Sequence, residues 1–162
     1  MTPGYLSSFE PAMRLALDQA AGPSASRDDA DVPVGAVILD EAGTVVGLAR
    51  NRREADRDPT AHAEILAIRQ AAAARRRWRL DGCTLVVTLE PCTMCAGAAT
   101  AARLDRLVFG AADPREGAAG SLWDVLRDRR LPHRVEVIGG VLEDECAELM
   151  RAFFGRLRGG GG

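Results

Sequence analysis

Lysine is missing from this sequence: all 21 basic residues of the 162 are arginine, set against 23 carboxylates for a formal charge of −2. The choice of arginine carries no functional weight on its own. The acidic balance, however, excludes a protein that coats nucleic acid non-specifically, for which a basic excess is expected. No apolar run approaches the ~20 residues needed to span a bilayer, so no membrane partner is expected. The N-terminus shows neither the charged start nor the long apolar stretch of a signal peptide, which predicts a cytoplasmic location. Cysteine is sparse, with four residues, and without an export signal these are expected to stay reduced and free for metal binding. Internal repeats and a second domain are also lacking. One domain over residues 1–158 is expected, followed by a disordered glycine tail at 159–162. A hydrophobic content of 47% excludes disorder for most of the remainder.

What is present concentrates in two short stretches, His62-Ala63-Glu64 and Pro91-Cys92-Thr93-Met94-Cys95. They hold one imidazole, one carboxylate and two thiols. Imidazole and thiolate are good ligands for tetrahedral zinc, and three protein ligands leave the fourth position for water, as a catalytic site requires. His62, Cys92 and Cys95 form that set. The two thiolates cancel the charge of the ion and weaken its effect on bound water, so a neighbouring base gains value, and Glu64 is that base by position. Asp58-Pro59-Thr60 reads as a helix start, with Asp58 or Thr60 supplying the capping oxygen. Residues 62 and 64 then point to different sides of the helix. Cys92 and Cys95, three apart, share one face of a second helix at its N-terminus, where the dipole favours thiolate. Alone, a C-x-x-C fits a redox pair, a zinc knuckle or chance. Together, H-x-E and P-C-x-x-C resemble the signature of zinc deaminases that act on nucleobases. Cys83, His133 and Cys146 lie outside both stretches. Both of these cysteines are expected to be buried small hydrophobes.

The rest of the chain reads as an α/β domain. A helix is predicted over Glu10 to Ala21, then a loop from Gly22 to Asp31. Two strands, Val34–Leu39 and Thr44–Leu48, flank the turn residues Asp40 to Gly43. After a polar connection from Asn51 to Arg57 comes the His62 helix, running to about Ala74. Leu85–Leu89 and Leu107–Gly110 have the continuous apolar character of strands covered on both faces, joined by the helix from Cys92 to Ala102 and hence parallel. Gly117 to Gly120 is expected to be flexible, and Leu122 to Leu126 to form a short helix. A last strand, Val135–Ile138, precedes an amphipathic helix from Leu142 to Leu157. These elements predict a mixed five-stranded sheet with helices on both faces and a site beyond the carboxyl ends of its strands.

From residue 32 to about 154 the chain is similar to the bacterial tRNA-specific adenosine deaminases, of three-layer α/β/α, cytidine-deaminase-like fold. The resemblance is carried by Val32-Pro33-Val34-Gly35-Ala36-Val37, by Asp58 through Ile65, by Thr88-Leu89-Glu90-Pro91-Cys92-Thr93-Met94-Cys95-Ala96-Gly97-Ala98, and by Gly117-Ala118-Ala119-Gly120-Ser121-Leu122. It implies a hydrolase that converts adenosine to inosine at the wobble position of a tRNA anticodon stem-loop. One zinc per subunit would be held by His62, Cys92 and Cys95, with hydroxide on the zinc as nucleophile and Glu64 as proton shuttle. Asn51 matches a pocket asparagine that hydrogen-bonds the flipped nucleoside. Asp113 matches a position against a ribose, and Phe154, with Phe153 and nearby arginines, matches a C-terminal helix that cradles RNA. The resemblance also implies a homodimer.

Other readings of these residues stand beside it. Asn51 and Asp113 are both suited to turns. Adjacent Phe153 and Phe154 cannot face the same way, so at most one meets RNA. Trp123 suits packing or a dimer interface. The arginine clusters at 75–77, 127–134 and 151–158 are by default solvated faces. The nearest rival function is deamination of a free base or nucleoside, such as guanine or cytosine, on the same fold. The Asp113–Ser121 loop and the Phe/Arg helix argue against it. A non-catalytic zinc module that partners RNA would lack the shuttle, and Glu64 is present.

Overall fold

The computed structural model describes residues 3–22 and 31–159. Most of the loop expected between Gly22 and Asp31, and the last three glycines, lie outside them. The chain order is α1 (Pro3–Ser7), α2 (Glu10–Ala21), β1 (Gly35–Leu39), β2 (Val45–Arg50), α3 (Arg53–Asp56), α4 (Ala63–Arg75), β3 (Thr84–Leu89), α5 (Thr93–Ala101), β4 (Arg106–Ala111), β5 (Glu136–Gly139) and α6 (Glu143–Gly159). The sheet order is β2-β1-β3-β4-β5. β1 is antiparallel to β2 and β3, while β4 is parallel to β3 and β5.

Side-chain alternation along the strands builds the layers. Val37, Val86, Val108 and Ile138 stand in register across four strands on one face and pack with Met13 and Ala16 of α2 and Cys146 of α6. Their neighbours Ile38, Leu85 and Leu107 form the opposite row, against Ala67 and Ala71 of α4 and Ala96 and Ala99 of α5. Each fully buried leucine in such a row stabilises by roughly 2 kcal/mol. Three layers, α/β/α, result. Alanines on the helices let them sit close to the sheet. At Gly35 contact is closer still, since a Cβ there would lie 1.8 Å from the Ala16 carbonyl oxygen of α2.

Strand direction gathers the site. Because β3 and β4 are parallel and β1 is antiparallel to β3, one edge receives the carboxyl ends of β2, β3 and β4 and the amino end of β1. The chain leaves β2 into Asn51, β3 into Glu90 and Cys92, and β4 into Asp113, all at this edge. The β1–β2 turn is fastened by Asp40, whose Oδ1 accepts from the backbone N–H groups of Ala42 (2.9 Å) and Thr44 (2.8 Å).

Several local expectations are corrected. The polar connection after Asn51 contains the short helix α3, whose first N–H groups are capped from outside by Asp31, with Oδ1 2.7 Å from Glu54 N and Oδ2 3.1 Å from Ala55 N. The cap of α4 is His62, whose side chain makes no capping bond. Asp58 instead closes the preceding turn, its Oδ1 accepting from the Thr60 N–H at 2.8 Å and the Thr60 hydroxyl at 2.7 Å. Residues 122–126 are not helical. Their backbone pairs with the glycine-alanine segment through Gly120 N–H to the Trp123 carbonyl (2.8 Å) and Val125 N–H to the Ala118 carbonyl (3.0 Å). That segment is also not a loose loop, since Gly117, Ala118 and Ala119 are buried.

Two helices of the site layer run away from this edge and close on left-handed arginines: Arg76 after α4 (φ 54°) and Arg103 after α5 (φ 61°).

Candidate active site

Two helix N-termini meet at the edge just described. His62 caps α4 and Cys92 caps α5, both with extended backbone and neither with a side-chain capping bond. Their side chains turn to each other instead. Nδ1 of His62 lies 3.7 Å from Sγ of Cys92 and 3.6 Å from Sγ of Cys95. The three ligand atoms all lie within 4.8 Å of one another. A tetrahedral zinc with ordinary Zn–S and Zn–N bond lengths requires S···N edges of about 3.6 Å, which both observed S···N distances match, so this donor set suits zinc.

Protonation points the same way. Hydrogen bonding from Cys95, reinforced by His62, pulls the Cys92 thiol down to about 4 against the opposing effect of burial. The contact with Cys92, together with burial, drives Cys95 strongly upward. The hydrogen bond to Cys92 raises His62. A divalent cation held by both sulfurs and the imidazole would supply the charge that lets both thiols ionise. The dipoles and free N–H groups of α4 and α5 add to it.

Glu64 follows one residue into α4 and is only 4% exposed. Burial pushes its carboxyl up to about 7. A carboxyl titrating near neutrality beside a zinc-ligand set is suited to carry protons.

Around these groups is one pocket, lined by His62, Glu64, Cys92, Asn51, Asp113 and Glu90 among others. Cys95 lies buried behind it. Asn51 is buried, its Nδ2 donating to the Val32 carbonyl at 3.1 Å while its Oδ1 accepts from the Arg53 N–H at 3.3 Å. That leaves one amide hydrogen and one lone pair for a ligand. The Asp113 Oδ1 accepts from the N–H groups of Arg115 (2.9 Å) and Glu116 (3.3 Å), so the turn reading of this residue is also correct.

The pocket opens into a groove of about 680 Å³ that shares Asp113, Arg53 and Leu89 with it and runs along α6 past Met150, Arg151, Phe154 and Arg158. Phe153 is 6% exposed and Phe154 40%, with their rings edge to face at 5.3 Å. Phe154 is the ring on the groove. Trp123 is well exposed, at 59%. His133 is structural, its Nε2 lying 2.7 Å from the Leu104 carbonyl oxygen. Among the arginines, Arg75 pairs with Glu41, Arg127 with Asp124, Arg130 with Asp128 and Arg151 with Glu148. Cys83 and Cys146 are buried.

Glu90 holds a role that spacing did not reveal. Its buried carboxylate accepts from the backbone N–H groups of Asp113, Ala119 and Ser121, each at 3.0 Å, and from the Ser121 hydroxyl. Burial would raise its carboxyl, but these four donors outweigh it and hold the group below the usual carboxylate range.

Fold and site define a zinc-dependent deaminase, and residues 7–111 match the family model of the cytidine and deoxycytidylate deaminase zinc-binding region. The tRNA-specific adenosine deaminase of Bacillus subtilis (strain 168) is 46% identical over 133 residues, covering 82% of both chains. A solved structure from work on A-to-I editing by tRNA:A34 deaminases at the wobble position of transfer RNA is 45% identical, with a TM-score of 0.76 over 85% of this chain and 96% of that one. Guanine deaminase from Nitrosomonas europaea shares the fold at 26% identity and a TM-score of 0.65, over 94% of this chain and 84% of the other. The chain belongs to the tRNA-specific adenosine deaminase family.

Proposed function

We propose that this protein hydrolyses the exocyclic amine of adenosine at the wobble position of a tRNA anticodon stem-loop, giving inosine and ammonia. The reading is carried by one juxtaposition: the buried Glu64 carboxyl stands beside the His62/Cys92/Cys95 set, in a pocket that continues into an arginine- and phenylalanine-lined groove. A loop nucleotide is cheaper to extrude into such a pocket than one stacked in a duplex. The groove gives the rest of the loop somewhere to lie. A free base would leave it unused.

His62, Cys92 and Cys95 would hold the zinc, which when bound would act as a Lewis acid and make water a better nucleophile. Glu64 takes the proton of the attacking water as its oxygen adds to C6 of adenine. The same carboxyl gives that proton to ring N1, then takes the second proton from the hydroxyl now on C6 and passes it to the amine, so that C6=O forms as the C–N bond breaks and ammonia leaves. Help of this kind is worth about a hundred- to ten-thousand-fold. Asn51 uses its remaining amide hydrogen and lone pair to orient the base. Asp113 accepts from a ribose hydroxyl at the pocket rim, and Phe154 offers its ring to a neighbouring base.

The protein works as a cytoplasmic homodimer with one catalytic domain per chain, the arrangement that the family resemblance implies. Ammonia release from zinc-loaded enzyme should be measured with a wobble-A stem-loop, free adenosine and free guanine. Turnover of the stem-loop alone is expected. Faster turnover of guanine or free adenosine overturns the RNA reading in favour of a small-molecule deaminase.

A further inference from the structure

Glu90 sits between β3 and the first zinc-ligand cysteine, 2% exposed, and among the described residues no cation pairs with its carboxylate. Taking a carboxylate out of water is expensive unless its lone pairs are filled. Here all the compensation comes from one distant loop: the N–H groups of Asp113, Ala119 and Ser121 and the Ser121 hydroxyl. The backbone ties the same two segments, with Glu90 N–H donating to the Ala111 carbonyl and Ala118 N–H to the Pro91 carbonyl, both at 2.8 Å. The fit is close. A Cβ on Gly117 would stand 2.5 Å from Cδ of Glu90 and 2.4 Å from the Asp113 carbonyl oxygen, so residue 117 must be glycine for the loop to wrap the carboxylate.

That loop carries Asp113 at the rim of the pocket, while the chain immediately after Glu90 carries Cys92 at its floor. A single side chain therefore sets the distance from floor to rim. We propose that Glu90 is a positioning residue for the RNA: it touches neither the reacting atoms nor the metal, and holds the 113–121 loop where Asp113 meets the substrate backbone. This rests on the tRNA reading given above. A glutamine would keep the shape but turn an N–H₂ toward backbone N–H donors, and the loop would leave its seat. The lost contacts lie away from C6, so they weaken ground state and transition state alike, which raises KM and leaves kcat in place.

The test uses zinc-loaded Glu90→Gln and Ser121→Ala with a wobble-A stem-loop, with zinc per chain and amide exchange measured alongside. For Glu90→Gln, KM is expected to rise about tenfold and kcat to stay within about twofold. Zinc should remain stoichiometric, and the Ala119 and Ser121 amides should exchange faster. Ser121→Ala removes one donor of four and should raise KM about threefold; it decides the matter if the glutamine variant does not fold. A fall in kcat at constant KM, loss of zinc, or an unchanged KM in both variants overturns the proposal. Wild-type enzyme that leaves the stem-loop unreacted sinks the substrate reading, whereas unaltered Ala119 and Ser121 exchange in Glu90→Gln sinks the clamp itself.

Discussion

Sγ of Cys95 stands 3.6 Å from Nδ1 of His62, although 33 residues separate them in sequence. With Cys92 they make a three-cornered donor set on the ends of two helices, and removing any corner leaves a site that cannot grip the ion. His62→Ala and Cys92→Ala are each expected to bring zinc well below one per chain by metal analysis. Melting temperature should fall too, because a ligand that binds only the folded state stabilises it.

Glu64→Gln keeps volume and burial and removes the proton carrier. Zinc content and melting temperature should match those of the parent. Stem-loop turnover should drop by about two to four orders of magnitude. Turnover within tenfold of the parent would show that another group carries the proton.

Phe153 and Phe154 separate packing from recognition. Phe153→Ala, in the interior, is expected to destabilise the protein by about 3–5 kcal/mol by denaturant titration. Phe154→Ala should leave stability nearly unchanged. It should weaken stem-loop binding by about 1–3 kcal/mol, the contribution of one stacked base.

Arg151 and Arg158 line the groove along α6. Binding of the stem-loop is expected to weaken linearly on a log–log plot against salt. Arg151→Ala or Arg158→Ala should make the slope shallower by about 0.7–1. A slope insensitive to either change would place the RNA elsewhere.

At the far edge of the sheet, Glu136 of β5 accepts from Arg106 at 2.7 Å and from the Tyr5 hydroxyl at 2.9 Å. Arg106 holds its carboxyl below the usual carboxylate range. A carboxyl that ionises more readily folded than unfolded contributes stability above its unfolded pKa of about 4.3, and that contribution is lost as pH falls through the lower folded value. Glu136→Gln should thus melt lower than the parent at neutral pH. The gap should close on acidification below pH ~4.

Legibility in the sequence followed the range of each interaction. The zinc-ligand set could be read because two ligands are three apart on one helix and the third opens another, so local spacing already encodes the face each presents. The unbroken apolar runs at Leu85–Leu89 and Leu107–Gly110 likewise announced strands covered on both faces. The Glu90 clamp was invisible: its partners are mostly backbone N–H groups 23 to 31 residues away, and such donors exist at every position of a chain. Asp31, capping α3 from 23 residues upstream, escaped for the same reason. Residues 122–126 looked helical because Leu122, Val125 and Leu126 fit the period. Their N–H and carbonyl groups were committed instead to the loop that Glu90 holds, a tertiary demand that outweighs propensity.

The left-handed arginines after α4 and α5 lie at the opposite ends of these helices from the zinc ligands. α4, with 13 residues, carries its own about 20 Å away. Each such backbone costs an L-residue roughly 1 kcal/mol that glycine would be spared. Heat tolerance can therefore be raised at the blunt end of the molecule without touching its chemistry: the margin left unused by this fold is spatially divorced from the part that must stay as it is.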